Sequence, residues 1–144
     1  MALFALIVAV PATAIAEGAG LERYVSDFDY AAREEMKVDS QELITLLTQG
    51  EAQLIDIRFE EEFAAWSVGP ARNVPLPELP GRIDEIDTEK TVVVACPHKD
   101  RAIIAMVYLR SQGIQAKYLT SGLIGLAENL RGDAAKSFIQ SLPD

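Results

Sequence analysis

Thr91-Val92-Val93-Val94-Ala95-Cys96-Pro97-His98-Lys99-Asp100-Arg101-Ala102 decides the fold. Its first five residues are short, apolar and mostly β-branched, and charge flanks them. That pattern predicts a strand buried on both faces. Cys96 stands where the strand ends. Beyond the loop, Ala102-Ile103-Ile104-Ala105-Met106-Val107-Tyr108-Leu109 reads as a well-buried helix, running from about Arg101 to Gln112 and stopped at Gly113. Strand, tight turn and helix N-terminus place Cys96 at the C-terminal edge of a sheet, the edge where open α/β folds bind ligands. Loop amides and the helix dipole are expected to favour the thiolate there. A lone cysteine is more often a small buried hydrophobe. Here its neighbours Pro97, His98, Lys99, Asp100 and Arg101 are loop chemistry, and Arg101 is placed to fold back over an anion.

Working outward, buried strands are expected at Ala52 to Ile57 and at Ala116 to Leu119. Helices are expected from Ser40 to Gly50, with Asp39 or Ser40 as N-cap, and from Leu123 to Leu130. A short helix is expected near Arg82 to Ile86, and a last helix or tail from Asp133 to Leu142. Strands alternating with helices predict an α/β fold with a mostly parallel central sheet and helices on both faces. Asp56 and Arg58, at the end of one strand, read as an ion pair supporting the loops around Cys96. Glu60-Glu61-Glu62 reads as a helix first turn stabilised by the dipole. Trp66, the only tryptophan, is expected to pack in the core or at its edge.

These segments resemble the rhodanese (sulfurtransferase) family. Cys96 to Arg101 is similar to its Cys-x4-Arg active-site loop, and Leu54-Ile55-Asp56-Ile57-Arg58 to its Asp-x-Arg strand end. Glu60-Glu61-Glu62-Phe63 resembles the acidic helix that follows. Ala71-Arg72-Asn73-Val74-Pro75-Leu76 resembles the Ala-x-Asn-Ile-Pro turn, and Tyr118-Leu119-Thr120-Ser121-Gly122 the closing strand and glycine turn. The likeness spans about residues 37–131. It implies a rhodanese-like three-layer fold and a sulfurtransferase in which Cys96 carries a persulfide and Arg101 assists. Pro97, His98, Lys99, Asp100 and Arg101 would then hold the substrate. The implied partners are a small anionic sulfur donor (thiosulfate, polysulfide or persulfide) and a thiol, cyanide or protein acceptor. No cofactor is implied.

The chain also departs from the family pattern. Lys99 stands where such loops commonly carry glycine, so it is expected to take a backbone shape that glycine usually supplies. Ala102 replaces a small hydroxyl residue, Ser121 the first glycine of the turn, and Leu126 a tryptophan. Asp100 sets a negative charge beside the proposed anion site. These departures keep a second function open, a catalytically weak binding or sensing module. A phosphatase or arsenate reductase fits less well, because the loop is one residue short for phosphate.

The 144 residues carry a net charge of −9, which argues against nucleic acid as a partner. One cysteine forms no internal disulfide, and one histidine excludes a zinc cluster or a second catalytic histidine. Residues 1–16 are apolar and end in Ala14-Ile15-Ala16, like a secretory signal without its basic start. Export to the periplasm, or anchoring by this segment, is the expectation. Residues 17–36 read as a polar linker or short helix, with Leu21, Tyr24, Val25 and Phe28 at helical spacing. Residues 37–131 form the domain, and 132–144 a C-terminal helix or tail.

Overall fold

The computed structural model describes residues 20–144; the signal-like reading of residues 1–16 lies outside them. Five parallel strands form one sheet in the order β1-β5-β4-β2-β3. They are β1 (Lys37–Val38), β2 (Ala52–Asp56), β3 (Arg72–Asn73), β4 (Thr91–Ala95) and β5 (Ala116–Leu119). Val92, Val93, Val94 and Ala95 are buried on both faces of the middle strand, as the unbroken apolar run requires. At roughly 1.5–3 kcal/mol for each large aliphatic side chain taken from water, β4 is a large source of burial energy. The two outer strands are too short to show any periodicity in the sequence.

Helices cover both faces. On one side α4 (Asp100–Ser111) sets Ala102, Ala105, Met106 and Leu109 against Val92, Val94, Ile55 and Cys96. On the other, α2 (Ser40–Thr48), α5 (Gly122–Asn129) and α6 (Asp133–Ser141) bring Leu43, Leu47, Leu123, Leu126 and Phe138 onto Val93, Leu54 and Leu119. The result is a three-layer α/β fold. Asp39 caps α2 by accepting the Glu42 amide at 2.8 Å. Gly50 follows that helix at φ 72°, where a side chain would be strained.

Several expectations need correction. Instead of a short helix near Arg82 to Ile86, 3-10 turns cover Leu76–Glu85 with a kink at Arg82, and Pro80 removes a donor that an α-helix through this stretch would need. Of the two places expected for Trp66 the structure gives it the edge: it is 41% exposed, with its ring centroid 4.2 Å from the Arg58 guanidinium. The turn of helix over 20–26 and α1 (Tyr30–Glu35) occupy the stretch read as a polar linker or short helix. Tyr24 touches Met106, with its hydroxyl 3.7 Å from the sulfur, but Leu21, Val25 and Phe28 stay exposed. Among the described residues no helix is long and apolar enough to cross a membrane.

Candidate active site

Cys96 follows β4 directly and lies at the C-terminal edge of the sheet's middle strand. Two helix N-termini hold the loop after it. The amides of His98, Arg101 and Ala102 face the Cys96 sulfur and favour its ionised form, the last two from the first turn of α4. From the other face, α5 donates Leu123 N–H to Cys96 O at 2.9 Å and Ile124 N–H to Pro97 O at 3.3 Å. The sulfur therefore faces amides from one helix while the carbonyls behind it are tied to another. Gly122 makes the second contact close. At φ 65° it lies in the left-handed region, and a Cβ there would overlap the carbonyl oxygens of Pro97 and His98. The Ser40 and Ser121 hydroxyls, 2.6 Å apart, join the start of α2 to the start of α5.

Lys99 does not take a glycine-like conformation. Its φ is −153°, and no non-glycine residue among the described ones has positive φ.

The thiol differs from the expected thiolate. Burial pushes the Cys96 thiol above its ordinary value, and the Asp100 carboxylate pushes the same way, against the three amides. Cys96 is 0% exposed. Its sulfur is 3.6 Å from Asp100 Oδ1, in the range of an S–H donating to a carboxylate. Asp100 itself is exposed and held below the usual carboxylate range, chiefly by the Arg101 amide and then by its own.

Arg101 is not folded over an anion. Its Nη1 and Nη2 donate to Glu62 Oε2 and Oε1 at 2.7 and 2.9 Å, a bidentate pair. The guanidinium also lies 5.8 Å from the centroid of the Phe59 ring. Glu62, whose carboxyl is lowered to about 2 mainly by Arg101, therefore does more than complement a helix dipole. Its Oε2 also accepts the Phe59 amide at 3.1 Å and so closes the start of α3 (Glu60–Ala65). Glutamate at the third helical position was the signal for that capping role. Nothing local pointed to Arg101, which is 39 residues away.

Asp56 and Arg58 are paired in full burial. Arg58 Nη2 donates to Asp56 Oδ2 at 2.7 Å and Nε to both carboxylate oxygens at 3.0 Å. The remaining Arg58 donors reach the carbonyls of Glu62 and Trp66 at 3.2 and 2.7 Å, and its guanidinium lies 4.2 Å from the Trp66 ring centroid. Thus the pair anchors α3, α3 carries Glu62, and Glu62 positions Arg101 in the cysteine loop. Glu62 and Trp66, read in the sequence as a dipole complement and a packing residue, are the ones whose place in this support was not foreseen. Pro97 is half-buried, and the His98 and Lys99 side chains are exposed. Among the described residues no group of three His, Cys, Asp or Glu side chains could hold a metal ion.

A parallel α/β sheet with a cysteine at its C-terminal edge, cradled by helix-start amides, defines a class of cysteine-loop α/β domains. Within that class, the Rhodanese-like domain model matches residues 39–128, and the chain belongs to that family. It is 36% identical over 92 residues to an uncharacterized protein of Bacillus subtilis, covering 59% of this chain and 73% of that protein. It is 32% identical over 95 residues to a sulfurtransferase of Allochromatium vinosum, covering 65% of this chain and 89% of that one. A human single-domain sulfurtransferase superposes with a TM-score of 0.60 at 27% identity, covering 65% of this chain and 96% of the human chain.

Proposed function

We propose that the protein is a rhodanese-type sulfurtransferase that carries sulfane sulfur on Cys96. The observation that supports this most is the set of three amides, His98, Arg101 and Ala102, converging on the sulfur at the sheet edge. In the resting state the group is a thiol, so the reaction begins when it loses its proton to solvent. The thiolate attacks the outer sulfur of a donor R–S–SH. A bond forms from Cys96 Sγ to that sulfur, the donor's S–S bond breaks to leave a Cys96 persulfide, and R–S⁻ leaves and takes up a proton. With thiosulfate the leaving group is sulfite. The converging amides stabilise the negative outer sulfur of the persulfide as they would an oxyanion. A thiol or cyanide acceptor then attacks that outer sulfur and restores the thiol, so one transfer is split into two displacements. Pro97, His98, Lys99, Asp100 and Arg101 form the surface that the donor meets, with Lys99 as an exposed cation. Glu62 and the Asp56–Arg58 pair support the loop.

A second reading, a rhodanese-like binding module with little turnover, draws on the buried neutral thiol and on Arg101 being already paired. Incubation with thiosulfate or polysulfide followed by intact-mass analysis separates the two. The sulfurtransferase gains one sulfur atom on Cys96, loses it to cyanide as thiocyanate, and does neither as Cys96→Ser. If no donor leaves sulfur on Cys96, the enzymatic reading falls and the binding module remains.

A further inference from the structure

Four observations converge on Asp100. Its Oδ1 is 3.6 Å from the Cys96 sulfur and is the side-chain partner of that thiol. Cys96 is wholly buried while Asp100 is exposed, so the carboxylate stands on the solvent side of the nucleophile. Arg101, which follows Asp100, is neutralised by the bidentate contact with Glu62. The carboxylate is kept in its charged form, chiefly by the Arg101 amide. Other charge around the sulfur is sparse or paired. Asp56 is bound to Arg58 at the end of β2, α5 has no acidic or basic residue in its first turn, and His98 and Lys99 point their side chains to solvent.

We propose that Asp100 is a specificity-determining residue, a fixed negative charge and cover over Cys96 that disfavours dianionic donors such as thiosulfate and favours donors whose reacting sulfur bears little charge, such as the hydropersulfide of a neutral thiol. The proposal rests on the sulfurtransferase reading for its substrates. Its electrostatic part concerns only the approach of a charged reagent to Cys96. A unit charge near 4 Å changes the energy of an approaching anion by about 1 kcal/mol even with the dielectric of water. At about 1.4 kcal/mol per tenfold, that is about fivefold in rate. Asp100 also adds, after burial, to what keeps the nucleophile a thiol, because a thiolate beside it would be repelled.

The test compares alkylation of Cys96 by iodoacetamide, which is neutral, and iodoacetate, which is an anion. The wild type, Asp100→Asn, Asp100→Ser and the remote charge control Glu42→Gln are each followed by mass across pH. Removing the Asp100 charge should raise the iodoacetate-to-iodoacetamide rate ratio about fivefold at low ionic strength. The gain should shrink with added salt, and the midpoint of the iodoacetamide profile should move to lower pH. Glu42→Gln should change neither. Persulfide formation from thiosulfate should rise in Asp100→Asn more than formation from a neutral hydropersulfide. An unchanged alkylation ratio in both Asp100 variants overturns the proposal, as does a Cys96 that neither reagent labels in any of these proteins. A changed ratio with no persulfide from any donor leaves the charge filter standing and removes the sulfurtransferase reading instead.

Discussion

Gly122→Ala probes the point where two elements meet behind the reactive sulfur. Gly122 has φ 65°, a conformation that costs an alanine about 1–2 kcal/mol. The added methyl would overlap the Pro97 and His98 carbonyl oxygens and lie 2.7 Å from His98 Cα. These are backbone atoms and cannot rotate away, so the loop or the start of α5 must shift. Overpacking of this kind costs roughly 1–3 kcal/mol. The sum is about 2–5 kcal/mol, out of the roughly 5–15 kcal/mol that holds a typical domain together. At about 3 °C per kcal/mol for a domain of this size, Tm should fall by roughly 6–15 °C. Gly113→Ala is the internal control. Gly113 ends α4 at φ 83°, and a Cβ there would meet nothing within 4 Å, so only the backbone cost of about 1–2 kcal/mol applies. Urea and thermal unfolding of both variants, followed by circular dichroism, isolate the steric part as their difference. The shift should also reach the sulfur, because Leu123 N–H and Ile124 N–H hold Cys96 O and Pro97 O. The pH profile of Cys96 alkylation should therefore move in Gly122→Ala and stay put in Gly113→Ala. Equal stability of the two variants, with unmoved Cys96 reactivity in both, would refute the claim that α5 is packed against the cysteine loop.

Breaking the buried Asp56–Arg58 pair one residue at a time should cost about 3–5 kcal/mol in either Asp56→Asn or Arg58→Met, since each leaves an uncompensated buried group. The double variant should cost less than the sum when read by urea unfolding, and additive losses would show that the two side chains do not act as a pair. The Glu62 carboxyl is about 2 in the folded protein against an ordinary 4.5, so its contribution is fully present above 4.5 and is lost as pH falls toward 2. Glu62→Gln should therefore destabilise at neutral pH by about 0.5–1 kcal/mol, a modest figure because the side chains of Arg101 and Glu62 are 27% and 36% exposed. The gap between variant and wild type should close in unfolding experiments near pH 2, and a gap independent of pH would contradict the pairing.

What can be read along the chain is set by neighbours in sequence. The run Thr91 to Ala95 could only be a strand buried on both faces, and a polar loop and an apolar helix had to follow it, so the position of Cys96 at the sheet edge was legible from composition and period alone. Asp39 and Gly50 marked the two ends of α2 by the same local logic, a side-chain acceptor at one end and a left-handed turn at the other. Asp56 and Arg58, two residues apart, could be read as a pair because they sit together at the end of one strand. The ionisation of the thiol, the partner of Arg101 and the packing of α5 against the cysteine loop could not be read this way. Each depends on groups brought together from distant segments. Glu62 reaches Arg101 across 39 residues, and Gly122 meets the Pro97 and His98 carbonyls from another helix. The charge state of Cys96 turns on a contest between burial and three amides, and burial is a property of the packed molecule. Local pattern thus determined where the nucleophile stands, and tertiary contact decided what surrounds it, because desolvation and ion pairing act through space and leave no period in the chain.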